Sequence, residues 1–163
     1  MRRSDRKITA HNEILDVLRK CDVIRIGINT QDYPYIVPMC FGFEDTKPLM
    51  TVFLHCALEG RKLDLILKDR RIGFEADCSY KVIAGENACN YTMEYESIVG
   101  NGIISICDEY DWKRRGLQAI MRHYEPEREF EFTEQQLDAV CVLHIDVMEI
   151  TGKRLKKDVL VKD

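Results

Sequence analysis

"PYIVPMCFGFE", Pro34 to Glu44, is the stretch that decides the fold. Tyr35, Val37, Met39, Phe41 and Phe43 alternate with Ile36, Pro38, Cys40 and Gly42, the period of two expected of a strand with one apolar face. Pro38 interrupts the run, and proline cannot donate to a ladder, so the position belongs at an edge or a bulge. Upstream, Ile24, Ile26 and Ile28 share one face of a strand over Val23 to Ile28, and "TQDYP" turns the chain back. Downstream, "EDTKP" closes a second hairpin, and Leu49 to Cys56 places Thr51, Phe53 and His55 on a common face. The spacing predicts three consecutive antiparallel strands.

The flanks add helices and more strands. Thr9 is a plausible cap for a helix running to about Lys20, with Ile14, Leu15, Val17, Leu18 and Cys21 at helical spacing. Gly60 to Lys68 fits a short helix with Leu63, Ile66 and Leu67 inward. Arg71 to Ala76 and Tyr80 to Ile83 read as extended, and Thr92 to Val99 alternates, is broken or bulged at "GNG", and resumes over Ile103 to Cys107. Asp108 is the expected cap of a helix with a Leu117, Ile120, Met121, Tyr124 stripe, and Thr133 with Gln136 forms a capping box. Cys141 to Ile150 is a last strand before the basic tail "TGKRLKKD". Helices do not alternate with strands, so the order predicts a single domain, mostly β with helices, an antiparallel β-barrel rather than a parallel α/β sheet.

Composition narrows the function classes. The chain has 163 residues, 45% hydrophobic and 32% charged, with a net charge of -4. That is one ordinary domain able to bury its own core, without the broad basic face that nucleic acid or an anionic membrane would require. Neither is expected as a partner. The seven cysteines contain no C-x-x-C pair, and "MRRSDRK" leads into an amphipathic pattern rather than an apolar signal core. These features read as reduced thiols in a cytoplasmic protein. Cys56 and Cys89 with His55 or His123 lack metal-ligand spacing, so no metal site is expected. Nor does the sequence pair any cysteine with a base.

Two places could carry chemistry. "FLHCALEGRKLD", Phe53 to Asp64, puts Arg61 and Lys62 at a helix amino terminus, where acidic residues are preferred. Free N–H groups plus two cations would suit a phosphate; equally, Glu59 and Asp64 could neutralise the cations in a solvated turn. At Pro38, an interrupted ladder would free the backbone from Val37 to Phe41 to meet a planar heterocycle between Tyr35 and Met39, or it is a plain bulge.

Taken in order, "RIG" (Arg25 to Gly27), "PYIVPMCFGFE", "FLHCALEGRKLD", "YESIVGNG" (Tyr95 to Gly102), "IMRHY" (Ile120 to Tyr124) and "ITGK" (Ile150 to Lys153) resemble the FMN-binding split-barrel superfamily. Within it, the chain is similar to the pyridoxamine 5'-phosphate oxidase-related branch that includes nitroimidazole-resistance proteins. The resemblance implies a homodimer with FMN in clefts at the subunit interface. Arg61 and Lys62 would bind the FMN phosphate, Phe53 and His55 would line the cleft, and the backbone of Val37, Pro38, Met39 and Cys40 would face the isoalloxazine ring. Ser97 would reach the cofactor from the partner subunit. Pyridoxamine phosphate oxidases proper carry a carboxyl-terminal tryptophan and arginine pattern that is missing here, where the one tryptophan is Trp112. The expected function is therefore an FMN-dependent reductase acting on a small nitro-aromatic or similar acceptor. The alternative is a non-enzymatic flavin- or haem-binding module for storage or sensing, with His55 the first candidate as an axial ligand.

Overall fold

The computed structural model describes residues 4–46 and 49–156. A short β1 (Lys7–Ile8) precedes α1 (His11–Lys20). There follow β2 (Ile24–Ile28), β3 (Tyr35–Met39), β4 (Phe41–Thr46), β5 (Leu49–Cys56), α2 (Arg61–Lys68), β6 (Arg71–Ile83) and β7 (Thr92–Ile106). The chain ends with α3 (Tyr110–Tyr124), α4 (Glu134–Asp138) and β8 (Cys141–Leu155). All strand pairs are antiparallel.

The strand order β3-β2-β6-β7-β8-β5-β4, with β1 added beside β8, explains the shape. The two ends of this path, β3 and β4, are consecutive in the chain and separated by Cys40 alone. The edges of the sheet must therefore meet at that residue, which curls the sheet into a barrel. β3 bonds only to β2 and β4 only to β5, so the seam between them is not sealed. The result is an antiparallel split β-barrel with helices, an α+β fold. The single strand read across Tyr35 to Phe43 is thus two strands on opposite edges, because the backbone at Cys40 leaves one ladder to enter another.

Register through Pro38 is unbroken: Pro38 stands opposite Arg25, between Val37–Ile26 and Met39–Ile24. An edge strand tolerates proline where its neighbour needs no donor, so the edge expectation holds and a bulge is not formed. The bulges lie elsewhere. β6 shifts register between Cys78 and Lys81, around Ser79 at φ 61°, and β7 shifts against β8 between Asn101 and Gly102.

Two apolar clusters hold the molecule together. The larger fills the barrel, with Ile24, Ile26, Ile28, Val52, Leu54, Ile98, Ile104, Leu143 and Ile145, and is plugged by Val17 and Leu18 of α1. The smaller lies outside the barrel wall, where Phe53 and Val142 meet Leu117, Ala119 and Ile120 of α3 and Leu137 of α4. Both faces of β5 are covered as a result, unlike the half-buried strands at the edges. α3 approaches β4 so closely that a Cβ on Gly42 would stand 2.2 Å from the Ala119 carbonyl oxygen. Gly42→Ala is expected to destabilise the fold by about 1–3 kcal/mol, read as a lower urea midpoint at unchanged slope.

Several sequence expectations are corrected. α1 begins at His11 after Ala10, and no side chain caps it, so Thr9 is not its cap. Glu109 rather than Asp108 precedes α3, also without a side-chain cap. Leu67 is 72% exposed; Leu63 and Ile66 alone are buried in α2, with Leu65 packing partly beside them. The Thr133–Gln136 capping box is present. The ends of the "EDTKP" turn and of the basic tail lie outside the described residues. No helix among the described residues is long and apolar enough to cross a membrane.

Candidate functional site

β5 ends at Cys56, and four residues later Gly60 starts α2 at φ 137°, a conformation that L side chains rarely adopt. No side chain caps this helix. Leu63 and Asp64 donate to the Gly60 carbonyl at 2.9 and 3.3 Å, while the N–H groups of Arg61 and Lys62 have no acceptor among the described residues. Two backbone donors and the positive end of the helix dipole thus lie at the residues that carry two cationic side chains.

These cations are not neutralised locally. Among the described residues neither Glu59 nor Asp64 forms an ion pair with Arg61 or Lys62, so the turn's own carboxylates do not neutralise them. Arg61 instead lies over the Tyr35 ring, 5.0 Å from its centroid, tying the start of α2 to β3. Lys62 is half-buried and lines the same groove as Cys56, where its positive charge favours the thiolate. Cys141, opposite Cys56 across the β5–β8 pair, has the largest influence on it, and with Lys62 it outweighs burial and holds the Cys56 thiol down at about 6. The neighbouring Cys56 and burial push the Cys141 thiol up in turn.

A groove of about 430 Å³ opens beside this junction. Its walls are Pro38, Met39 and Cys40 at the end of β3, His55, Cys56 and Ala57 at the end of β5, Lys62 of α2, and Ala139 and Val140 leading into β8. It sits at the unsealed seam of the barrel, and its volume is within the common range for small-molecule sites. β3 is an edge, so one side of its backbone from Val37 to Met39 has no partner strand.

Five of the residues expected from sequence meet here: Pro38, Met39, Cys40, His55 and Lys62. Arg61 adjoins them on α2. Val37 is half-buried against the barrel core. Phe53 is corrected: its side chain is fully buried on the outer wall, 6.1 Å from the Trp112 ring centroid and packed against α3, so it cannot line a cleft. It faces the same way as His55, but α3 covers one and not the other. Ser97 is half-buried on β7, opposite Asp77 and Lys153, and does not reach this groove within the same chain.

The structure adds roles that sequence reasoning missed. The Phe41 N–H, expected to be free, donates to the Tyr124 hydroxyl at 3.1 Å, and that hydroxyl donates to the Asp22 carbonyl at 2.7 Å. His123 donates to the Cys21 carbonyl at 2.8 Å and packs on Phe41, ring centroids 4.4 Å apart. "IMRHY" therefore clamps the corner where β3 passes into β4, and so shapes the groove from behind. Cys56 had no visible partner in sequence because Lys62 and Cys141 reach it only through the fold.

A larger cleft, about 710 Å³, lies between β4, α1 and α3. Its charges are already satisfied: Arg115 and Arg122 pair with Glu44 at 2.6 and 3.8 Å, and Arg19 with Asp16 at 2.7 Å. The smaller groove, lined by Lys62, which has no carboxylate partner among the described residues, and adjoined by Arg61, is the better candidate despite its size. Among the described residues no cluster of three His, Cys, Asp or Glu side chains is placed to hold a metal ion.

Comparison with known proteins agrees with the fold. The model of the pyridoxamine 5'-phosphate oxidase family matches residues 10–154, nearly the whole chain. The chain belongs to that family. Among solved structures, this family member is similar to a candidate 5-nitroimidazole antibiotic resistance protein from Bacteroides thetaiotaomicron. The two are 28% identical, with a TM-score of 0.78 over 91% of this chain and 86% of the other. The same fold appears in the flavocytochrome Anf3 of Azotobacter vinelandii, at 16% identity and TM-score 0.78, covering 96% of this chain and 72% of that one. It appears again in an FAD and heme binding protein of Mycobacterium smegmatis, at 16% identity and TM-score 0.79, covering 93% and 74%. No curated protein sequence matches. Membership of the pyridoxamine 5'-phosphate oxidase family fixes the fold and leaves the substrate to be argued from the site.

Proposed function

We propose that the groove binds FMN with its phosphate at the amino terminus of α2, and that the protein is a small flavin-dependent reductase for nitro-aromatic or similar electrophiles. The observation that carries this reading is that, among the described residues, one helix end carries two unpartnered N–H groups and two cations without a carboxylate partner. Such a site suits a phosphate dianion, because neither cation is neutralised by a carboxylate of the described residues. The likeness to the Bacteroides protein supports the acceptor class, and the flavin-binding proteins of the same fold support the cofactor class.

A bound flavin would supply the redox chemistry itself. The chain's own residues would hold and orient it. Arg61 and Lys62 would fix the phosphate, far from the reacting ring. The free edge of β3 from Val37 to Cys40 would meet the polar rim of the heterocycle, and His55, exposed at the mouth, would stand beside it. A second copy of the chain would close the groove and bring Ser97 toward it.

The test is spectroscopic. Protein loaded with FMN should show an oxidised-flavin spectrum, bleach under anaerobic NADH or dithionite, and regain colour when a nitro-aromatic compound is added. Bleached protein that the nitro compound does not reoxidise would overturn the reductase assignment. A haem Soret band with no flavin uptake would favour the storage or sensing alternative.

A further inference from the structure

The site contains a second chemistry that flavin binding does not use. Cys56 is the last residue of β5 and stands directly opposite Cys141, the first residue of β8, in antiparallel register. Opposed residues of such a pair have Cα atoms about 4.5–5.5 Å apart and side chains on the same face, within the span that a disulfide bridges. Cys56 is half-buried and lines the groove, whereas Cys141 is 6% exposed behind it. Lys62 of α2 faces the Cys56 sulfur; Lys113 of α3 and Cys107 lie nearer Cys141.

We propose that Cys56 is a hydroperoxide-reactive thiolate and Cys141 its resolving thiol, the two closing a cross-strand disulfide at the floor of the groove. The Cys56 sulfur attacks the outer oxygen of a hydroperoxide; an S–O bond forms and the O–O bond breaks. Sulfur is oxidised by two electrons, the peroxide is reduced, and the departing alkoxide takes a proton from water to leave as the alcohol. The Cys141 sulfur then attacks the Cys56 sulfenic acid, forming S–S and breaking S–O, and the leaving hydroxide departs as water with the Cys141 proton. Overall, two thiols and one hydroperoxide give one disulfide, one alcohol and one water. Lys62 acts by holding the thiolate, the nucleophilic form, at neutral pH.

Another thiol pair in the same chain makes the contrast. Cys21 has Cys78 as its neighbouring thiol, but Asp77 and Glu75 rather than a cation act on it, and burial with Cys78 and these anions pushes its thiol up. Cys40 lines the same groove and is exposed, but it falls between β3 and β4 and stands opposite no second cysteine in the strand pairs. Proximity of thiols is therefore separable from activation, and access to the groove from pairing.

The experiment treats the purified chain with one equivalent of cumene hydroperoxide at pH 7, then maps the thiols by mass spectrometry. The expected product has lost two hydrogens and carries a Cys56–Cys141 linked peptide. Cys141→Ser should accumulate a sulfenic acid on Cys56, trapped by dimedone, and Cys40→Ser should still form the disulfide. Lys62→Met should slow the reaction by about tenfold. First oxidation at Cys40 or at the Cys21–Cys78 pair, or a Cys141→Ser protein with no dimedone adduct on Cys56, would overturn the proposal. Because no flavin is added, this result stands or falls apart from FMN binding.

Discussion

Replacing Arg61 and Lys62 together by alanine is expected to weaken FMN binding on the order of a hundredfold or more while leaving riboflavin binding almost unchanged. Hydrogen bonds to charged groups contribute about 1.5–3 kcal/mol each, and two are removed from one phosphate. Riboflavin shares the ring and ribityl chain but lacks the phosphate, so it reports on everything the substitution should not touch. The fold should survive the change. Arg61 is exposed and Lys62 half-buried, neither belongs to either apolar cluster, and alanine is a good helix former. Titrations monitored by flavin fluorescence would check the ratio. Equal loss for both ligands would mean that these cations support structure, through the Arg61–Tyr35 contact, rather than recognise phosphate.

The second large effect concerns stability. Glu96 on β7 is 1% exposed and accepts hydrogen bonds from Lys20 of α1 at 2.8 Å, from Ser79 at the β6 bulge at 3.1 Å, and from Arg154 of β8. Arg154 also reaches Glu13 of α1 at 2.7 Å, so one carboxylate joins the plug helix to three strands of the barrel. Burial alone would raise the Glu96 carboxyl, but its donors win and hold it at about 2. A group with a depressed folded value contributes stability above its unfolded value, near 4.5, and loses it as pH falls toward 2. Glu96→Gln is accordingly expected to cost about 3 kcal/mol at pH 7, the lower part of the range for a broken buried pair, since Lys20 and Arg154 keep some water. The gap between variant and parent should shrink through the range below 4.5 and nearly vanish at pH 2. Urea unfolding at pH 7 and pH 2 measures it, and a gap unchanged at pH 2 would make the cost one of shape rather than charge.

What the sequence displays and what it hides divide along physical lines. Period-two patterns locate most strands, and Pro38 marks an edge, because alternation and a missing donor are local properties; β8 instead runs on through Thr151 to Leu155, where pairing with β7 and not an apolar alternation keeps the expected tail extended. The seam at Cys40 was invisible, since the passage from one ladder to another depends on which strands lie beside β3 and β4. The caps of α1 and α3 were misplaced because Thr9 and Asp108 were good candidates by residue type, but neither side chain bonds the helix. Phe53 and His55 share a face in any reading of β5, and only the position of α3 decides that one is enclosed and the other exposed. The unusual charge at the start of α2 was legible from the start. That its cations escape pairing with Glu59 and Asp64, and that Lys62 turns toward Cys56, required the third dimension.

The most direct measurement is a crystal structure of the protein grown with FMN. The account predicts the phosphate within hydrogen-bond distance of the Arg61 and Lys62 side chains and their backbone N–H groups, with the ring along the β3 edge from Val37 to Cys40. A phosphate bound elsewhere, or protein that takes up no FMN from excess, would contradict it.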